Sequence, residues 1–155
     1  MRLEEKLARK LIHSRKTLSI AESCTGGLLA HRLTNVPGSS AYFLGGVTAY
    51  ANRIKMTLLK VPSSVIKKHG SVSAQTAVKM AEGIRKIFRS DYGIAITGIA
   101  GPAKDDTKKP VGLVHIAVCS PQKISHKKLL LKGTRLSIKA QAASHALRMI
   151  LKILK

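Results

Sequence analysis

Tryptophan is absent, and the chain holds only 3 Tyr and 2 Phe in 155 residues. The aromatic platforms on which single-stranded nucleic acids stack are therefore scarce. Acid is scarce too: 7 Asp and Glu stand against 28 Lys and Arg, a net charge of +21. Such an excess suits either a basic face for nucleic acid or a lysine-rich solvated surface that draws anionic metabolites. The lysines are scattered as singles and pairs along the whole chain rather than gathered in one arm, which favours the second. The only cysteines, Cys24 and Cys119, have no C-x-x-C or histidine company. A zinc site is not expected, and both thiols are expected to stay reduced. The six histidines fall in no catalytic or ligand spacing, so neither metal nor cofactor is expected. No apolar run approaches the ~18–20 residues of a membrane span. The start, Met1-Arg2-Leu3-Glu4-Glu5-Lys6, carries acid where a signal peptide carries base. A cytoplasmic location without a membrane partner is the expectation.

What is present is an apolar fraction of 45%, enough for one globular domain at this length. Leu3, Leu7, Leu11 and Ile12 predict an amphipathic first helix over residues 3–14. Thr17 to Ala21 reads as a short strand, followed by a helix from about Thr25 to Thr34 that stops before Val36-Pro37-Gly38. Phe43 to Tyr50 is strand-like with Gly45-Gly46 inside it. Asn52 is placed as the N-cap of a short helix through Leu59, and Pro62 opens another, ended by Gly70. Ser73 caps a helix whose Ala77, Met80, Ala81, Ile84, Ile87 and Phe88 share one face. Tyr92 to Thr97 reads as a buried strand. Val111–Val118 and Lys128–Lys132 read as strands joined through Ser120-Pro121-Gln122-Lys123, before a last helix from about Leu136 to Leu154. Strands alternating with helices, then a hairpin, predict one α/β domain: a mixed sheet flanked by helices in three layers.

Two distant segments carry the chemistry. Glu22-Ser23-Cys24-Thr25-Gly26-Gly27 sets a hydroxyl between a strand and a helix, with glycines that admit close approach of backbone N–H groups to a ligand. Tyr50-Ala51-Asn52-Arg53-Ile54-Lys55 sets a lysine in the first turn of a helix, among apolar Ile54, Met56 and Leu58. The positive helix end and desolvation both disfavour its charged form. A serine needs a base, and a neutral lysine can be one.

Those segments, with Val36-Pro37-Gly38-Ser39-Ser40, Gly45-Gly46-Val47, Thr97-Gly98-Ile99-Ala100-Gly101-Pro102 and Lys109-Pro110-Val111-Gly112, resemble the CinA carboxy-terminal-domain family over nearly the whole chain. The resemblance implies deamidation of nicotinamide mononucleotide without a cofactor. It implies Ser23 as nucleophile, Lys55 as general base and Tyr50 as an active-site phenol able to bond either. It also assigns Thr25, Gly26, Ser40, Thr97, Gly98, Gly101 and Arg135 to the substrate, the arginine to its phosphate. A homodimer is the oligomer it suggests. Some members carry a further amino-terminal domain, which is not expected within these 155 residues. Two departures stand out: Ala103-Lys104-Asp105-Asp106 where the family has more glycines, and Thr134 where it has Asp before the arginine. The first keeps a related amide open as the substrate. A non-catalytic basic protein that binds nucleotides or nucleic acid is the rival class.

Overall fold

The structure, a computed structural model, describes residues 1–154. Its elements in chain order are α1 (Leu3–His13), β1 (Leu18–Glu22), α2 (Leu28–Thr34), a short 3-10 turn (Ser39–Ala41), β2 (Phe43–Thr48), α3 (Asn52–Thr57), α4 (Ser63–His69), α5 (Ala74–Phe88), β3 (Tyr92–Gly98), β4 (Leu113–Cys119), β5 (Ile124–Leu130) and α6 (Arg135–Ile153). Five strands form one sheet in the order β2-β1-β3-β4-β5. β2, β1 and β3 run parallel, β4 runs antiparallel to β3, and β5 runs antiparallel to β4. This is the mixed α/β sheet that the alternation of elements predicts.

Alternation of side chains along buried strands divides the core in two. Ile20, Ile94, Ile96, Val114, Ile116 and Val118 face α1, α2 and α6. Ala21, Ala95 and Ala117 face α5, Leu59 and Val61. Small residues on that second face let α5 settle close to the sheet. A Cβ on Gly93 would meet the Ala81 carbonyl, and one on Gly83 would meet the Leu59 carbonyl. Ser73 does cap α5, its Oγ accepting from the Thr76 N–H at 3.1 Å. No helix among the described residues is long and apolar enough to cross a membrane.

Three boundaries differ from expectation. α2 starts at Leu28 rather than near Thr25, because residues 23–27 form a turn with Gly26 and Gly27 at positive φ. Asn52 is the first residue of α3 and not its cap; Ala51 holds the cap position in extended backbone. β5 begins at Ile124, four residues before the expected start. It is an edge strand with an exposed, His- and Lys-rich face, so its apolar pattern surfaces only near Leu129–Leu131. The hairpin register, Cys119 opposite Ile124, places its turn at Ser120–Lys123 as expected.

Candidate active site

The site lies where the parallel strands end, as ligand clefts of α/β sheets do. Ser23 follows the last residue of β1, and its N–H donates to the Ile96 carbonyl at 3.0 Å, extending the β1–β3 pairing by one step. The Ala49 N–H donates to the Glu22 carbonyl at 2.8 Å, bringing the end of β2 and the start of α3 alongside. Lys55, on α3, is 1% exposed. Its Nζ donates to Ser23 Oγ at 3.1 Å and to the Tyr50 carbonyl at 2.9 Å. No carboxylate pairs with it among the described residues.

Burial without a counter-charge disfavours the ammonium. It pulls the Lys55 amine down to about 8, the Cys24 thiol opposing weakly. The helix dipole is not the cause. α3 has only six residues, so Lys55 belongs as much to its last turn as to its first. An amine near 8 has a usable neutral fraction at physiological pH. Unprotonated, Nζ can accept from the same hydroxyl to which the ammonium donates.

Arg135 opens α6, whose start is capped by Thr134 Oγ1 accepting from the Ser137 N–H at 3.3 Å. Its guanidinium donates to the Gly101 carbonyl at 2.6 Å and to the Tyr50 phenol at 3.1 Å. Thr134 thus keeps the helix cap, while two neutral oxygens orient the arginine. With no carboxylate on it among the described residues, the full cationic charge is available to an anion. Tyr50 is 60% exposed, and its phenol bonds Arg135 rather than Lys55 or Ser23. It is the Tyr50 carbonyl that holds the lysine.

A cleft of about 230 Å³ joins these groups, with Ser23, Tyr50, Lys55, Thr97, Gly98, Gly101 and Arg135 among its lining. Thr97 is buried, and its hydroxyl donates to the Ser71 carbonyl at 2.7 Å, pinning the Ser71–Val72 wall. A Cβ on Gly98 would press on the Leu113 carbonyl and on Cys24 Sγ. Cys24 also lines the cleft, but burial pushes its thiol up to about 11, so the thiolate is unpopulated at neutral pH. Lys104 and Asp105, in the segment that departs from the family pattern, line the cleft as well.

Three expected substrate contacts fall elsewhere. Ser40 sits exposed in the 3-10 turn before β2, at the end of the sheet away from the cleft. Pro-Gly-Ser-Ser has there the ordinary role of a turn. Thr25 and Gly26 line a separate depression of about 300 Å³ between α2 and the first turns of α6, with Lys139. Thr25 is fully buried, and its hydroxyl has no partner among the described residues. The start of α2 is not open to a ligand, because the Glu22 carboxylate occupies it: Oε2 accepts from the Leu29 N–H at 3.0 Å and Oε1 from the Ala30 N–H at 2.9 Å. Sequence reasoning missed Glu22. An acid just before a serine-glycine turn and a helix is the signal that could have found it. Among the described residues no group of three or more His, Cys, Asp or Glu could hold a metal ion.

The chain belongs to the CinA C-terminal domain family, which it matches over residues 1–154. A CinA-like protein of Dictyoglomus thermophilum is 47% identical over 145 residues, 94% of this chain but 35% of that protein. Another, from Pseudothermotoga lettingae, is 41% identical over 152 residues, 98% of this chain and 37% of that protein. The chain thus spans little more than a third of the length of these curated relatives. Solved structures match it end to end. A competence or damage-inducible protein from Enterobacter asburiae shares 31% identity at a TM-score of 0.96, covering 99% of this chain and 96% of that one. A competence/damage inducible protein from Agrobacterium tumefaciens shares 36% identity at a TM-score of 0.92, covering 100% and 98%.

Proposed function

We propose that this chain hydrolyses the carboxamide of nicotinamide mononucleotide to nicotinic acid mononucleotide and ammonia, using Ser23 as nucleophile and Lys55 as base. The observation that carries the reading is the 3.1 Å contact between Lys55 Nζ and Ser23 Oγ, made by a buried amine that has no acidic partner among the described residues. Activation of a serine by a neutral lysine is an established form of nucleophilic catalysis. The amide specificity comes from the family resemblance described above.

In the proposed sequence, neutral Lys55 takes the hydroxyl proton as Ser23 Oγ bonds to the carboxamide carbon, and the carbonyl electrons move onto oxygen. The cationic pyridinium ring withdraws electrons and assists the attack. The N–H of Cys24, which makes no backbone hydrogen bond among the described residues and belongs to a residue lining the cleft, is the nearest donor in sequence for the oxyanion. The tetrahedral species collapses by breaking the C–N bond, and Lys55 returns its proton to the departing nitrogen, which leaves as ammonia. Water, deprotonated by Lys55, then cleaves the acyl ester and regenerates Ser23. Tyr50 acts by holding Lys55 through its carbonyl and Arg135 through its phenol.

The substrate's phosphate is assigned to Arg135, with Gly98 and Gly101 shaping the wall beside it. Replacing Arg135 with Ala removes a charge-assisted contact worth about 1.5–3 kcal/mol. KM for the mononucleotide should then rise about tenfold to a hundredfold, while KM for the riboside lacking phosphate stays unchanged. An equal rise for both compounds contradicts that assignment. The reading as a whole is tested by incubating purified protein with the mononucleotide and measuring ammonia and the acid product in equal amounts.

The net charge of +21 favours one rival, a basic protein that binds nucleotides or nucleic acid without chemistry. DNA binding that weakens steeply with salt, together with no ammonia, would select it. A cytoplasmic homodimer with no membrane partner completes the proposal.

A further inference from the structure

α2 begins without a capping side chain of its own. Its N-cap is Gly27, at φ +95°, and the N–H groups one turn in are otherwise unpaired. Glu22, seven and eight residues earlier, supplies both acceptors, one oxygen to Leu29 and one to Ala30. Its side chain is 1% exposed. The same residue's carbonyl accepts from Ala49 at 2.8 Å, next to Tyr50, whose carbonyl holds Lys55. Glu22 therefore joins the three segments that must be in register for the serine to meet the lysine: the end of β1, the start of α2 and the end of β2. Between its backbone and the helix it grips lies the turn that carries Ser23, closed internally by Gly26 N–H donating to the Ser23 carbonyl at 3.1 Å.

We propose that Glu22 is a positioning residue: its carboxylate clamps the start of α2 and so holds the Ser23 turn with its hydroxyl on Lys55. Two converging N–H donors need two acceptor oxygens. A glutamine offers one, and its NH₂ would face the second donor. An aspartate keeps the charge but is one methylene short. The clamp also fills the positive helix end with the protein's own anion, leaving the substrate's phosphate to Arg135.

The proposal rests on the hydrolase reading for its effect on turnover, so the test reads Ser23 directly as well. Wild type, E22Q, E22D and L33A are compared by the rate of Ser23 labelling with a fluorophosphonate probe, by kcat and KM for the mononucleotide, and by thermal melting. Leu33 is fully buried near the far end of α2, and its truncation loosens the helix without touching the clamp. E22Q is expected to label and turn over about tenfold to a hundredfold more slowly, the cost of a small misplacement of a reacting group. Its KM should stay within about twofold and its melt cooperative. E22D should lose less. L33A should melt lower yet label within about twofold of wild type. Wild-type labelling in E22Q, or an equal loss in L33A, overturns the proposal. If E22Q slows labelling but wild type releases no ammonia, the clamp stands and the substrate assignment falls; absence of Ser23 labelling in wild type sinks both.

Discussion

Ser23→Ala is expected to release no ammonia above background, a loss of at least about a thousandfold in kcat, with an unchanged melt. The hydroxyl is nearly buried, and its partner is a lysine able to turn back to the Tyr50 carbonyl. Removing one oxygen therefore leaves no unpaired carboxylate and no large cavity. Cys24→Ala is the necessary companion. Its thiol shares the cleft, but burial holds it protonated near 11, so its loss should change kcat by less than about threefold. The reverse pattern, an active Ser23→Ala and a dead Cys24→Ala, would transfer the nucleophile to the neighbouring position. Ammonia release by the three proteins at one pH decides between them.

Lys55→Met should separate activity from stability. Activity is expected to fall at least about a thousandfold, because no other base touches Ser23 among the described residues. Stability at neutral pH is expected to rise. The native amine lies near 8 against an ordinary 10.5. Below 8 the native and unfolded chains both carry the proton, and the native state bears the cost of a buried charge, about 3 kcal/mol for such a shift. Between about 8 and 10.5 only the unfolded chain holds it, so wild-type stability rises with pH across that window. Methionine of similar length removes the charge but leaves the Tyr50 carbonyl and Ser23 hydroxyl without their donor, about 1 kcal/mol each. The net gain is about 1 kcal/mol, or about 2–4 °C in Tm for a chain of this size. Melting curves of both proteins from pH 7 to 10 check it: the variant starts higher and shows no rise. A variant that melts well below wild type at pH 7 would mean that Lys55 is a structural cation.

Much of the architecture was legible because buried strands and amphipathic helices announce themselves. Ile94 and Ile96 alternating with Ala95, and the Met80–Ile84 face under Ser73, could be read as elements without knowing what they pack against. β5 was harder: an edge strand contributes few apolar residues, and Lys127 and Lys128 hide its first half. At the site, Ser23 and Lys55 could be paired by chemistry and resemblance, and apolar Ile54, Met56 and Leu58 pointed to desolvation, the larger cause of the lysine's lowered pKa. The helix end, the second expected cause, drops out because α3 has only six residues, and the extent of burial depends on what α3 packs against. The resemblance assigns Thr25 and Gly26 to the substrate, and the structure sets them in a separate depression beside the start of α2. That helix start is taken by the Glu22 carboxylate, and a bond between residues 22 and 29 is not visible in local pattern. Ser40, assigned by the resemblance, lies in the exposed turn before β2, at the end of that strand away from the cleft.

The pH dependence of single-turnover ammonia release bears most directly on the claim that an uncharged Lys55 activates Ser23. The rate constant should climb about tenfold per pH unit below its midpoint and level off above about 8, where the amine has lost its proton. A flat profile from pH 6 to 10, or a rate that falls as pH rises through 8, would contradict it.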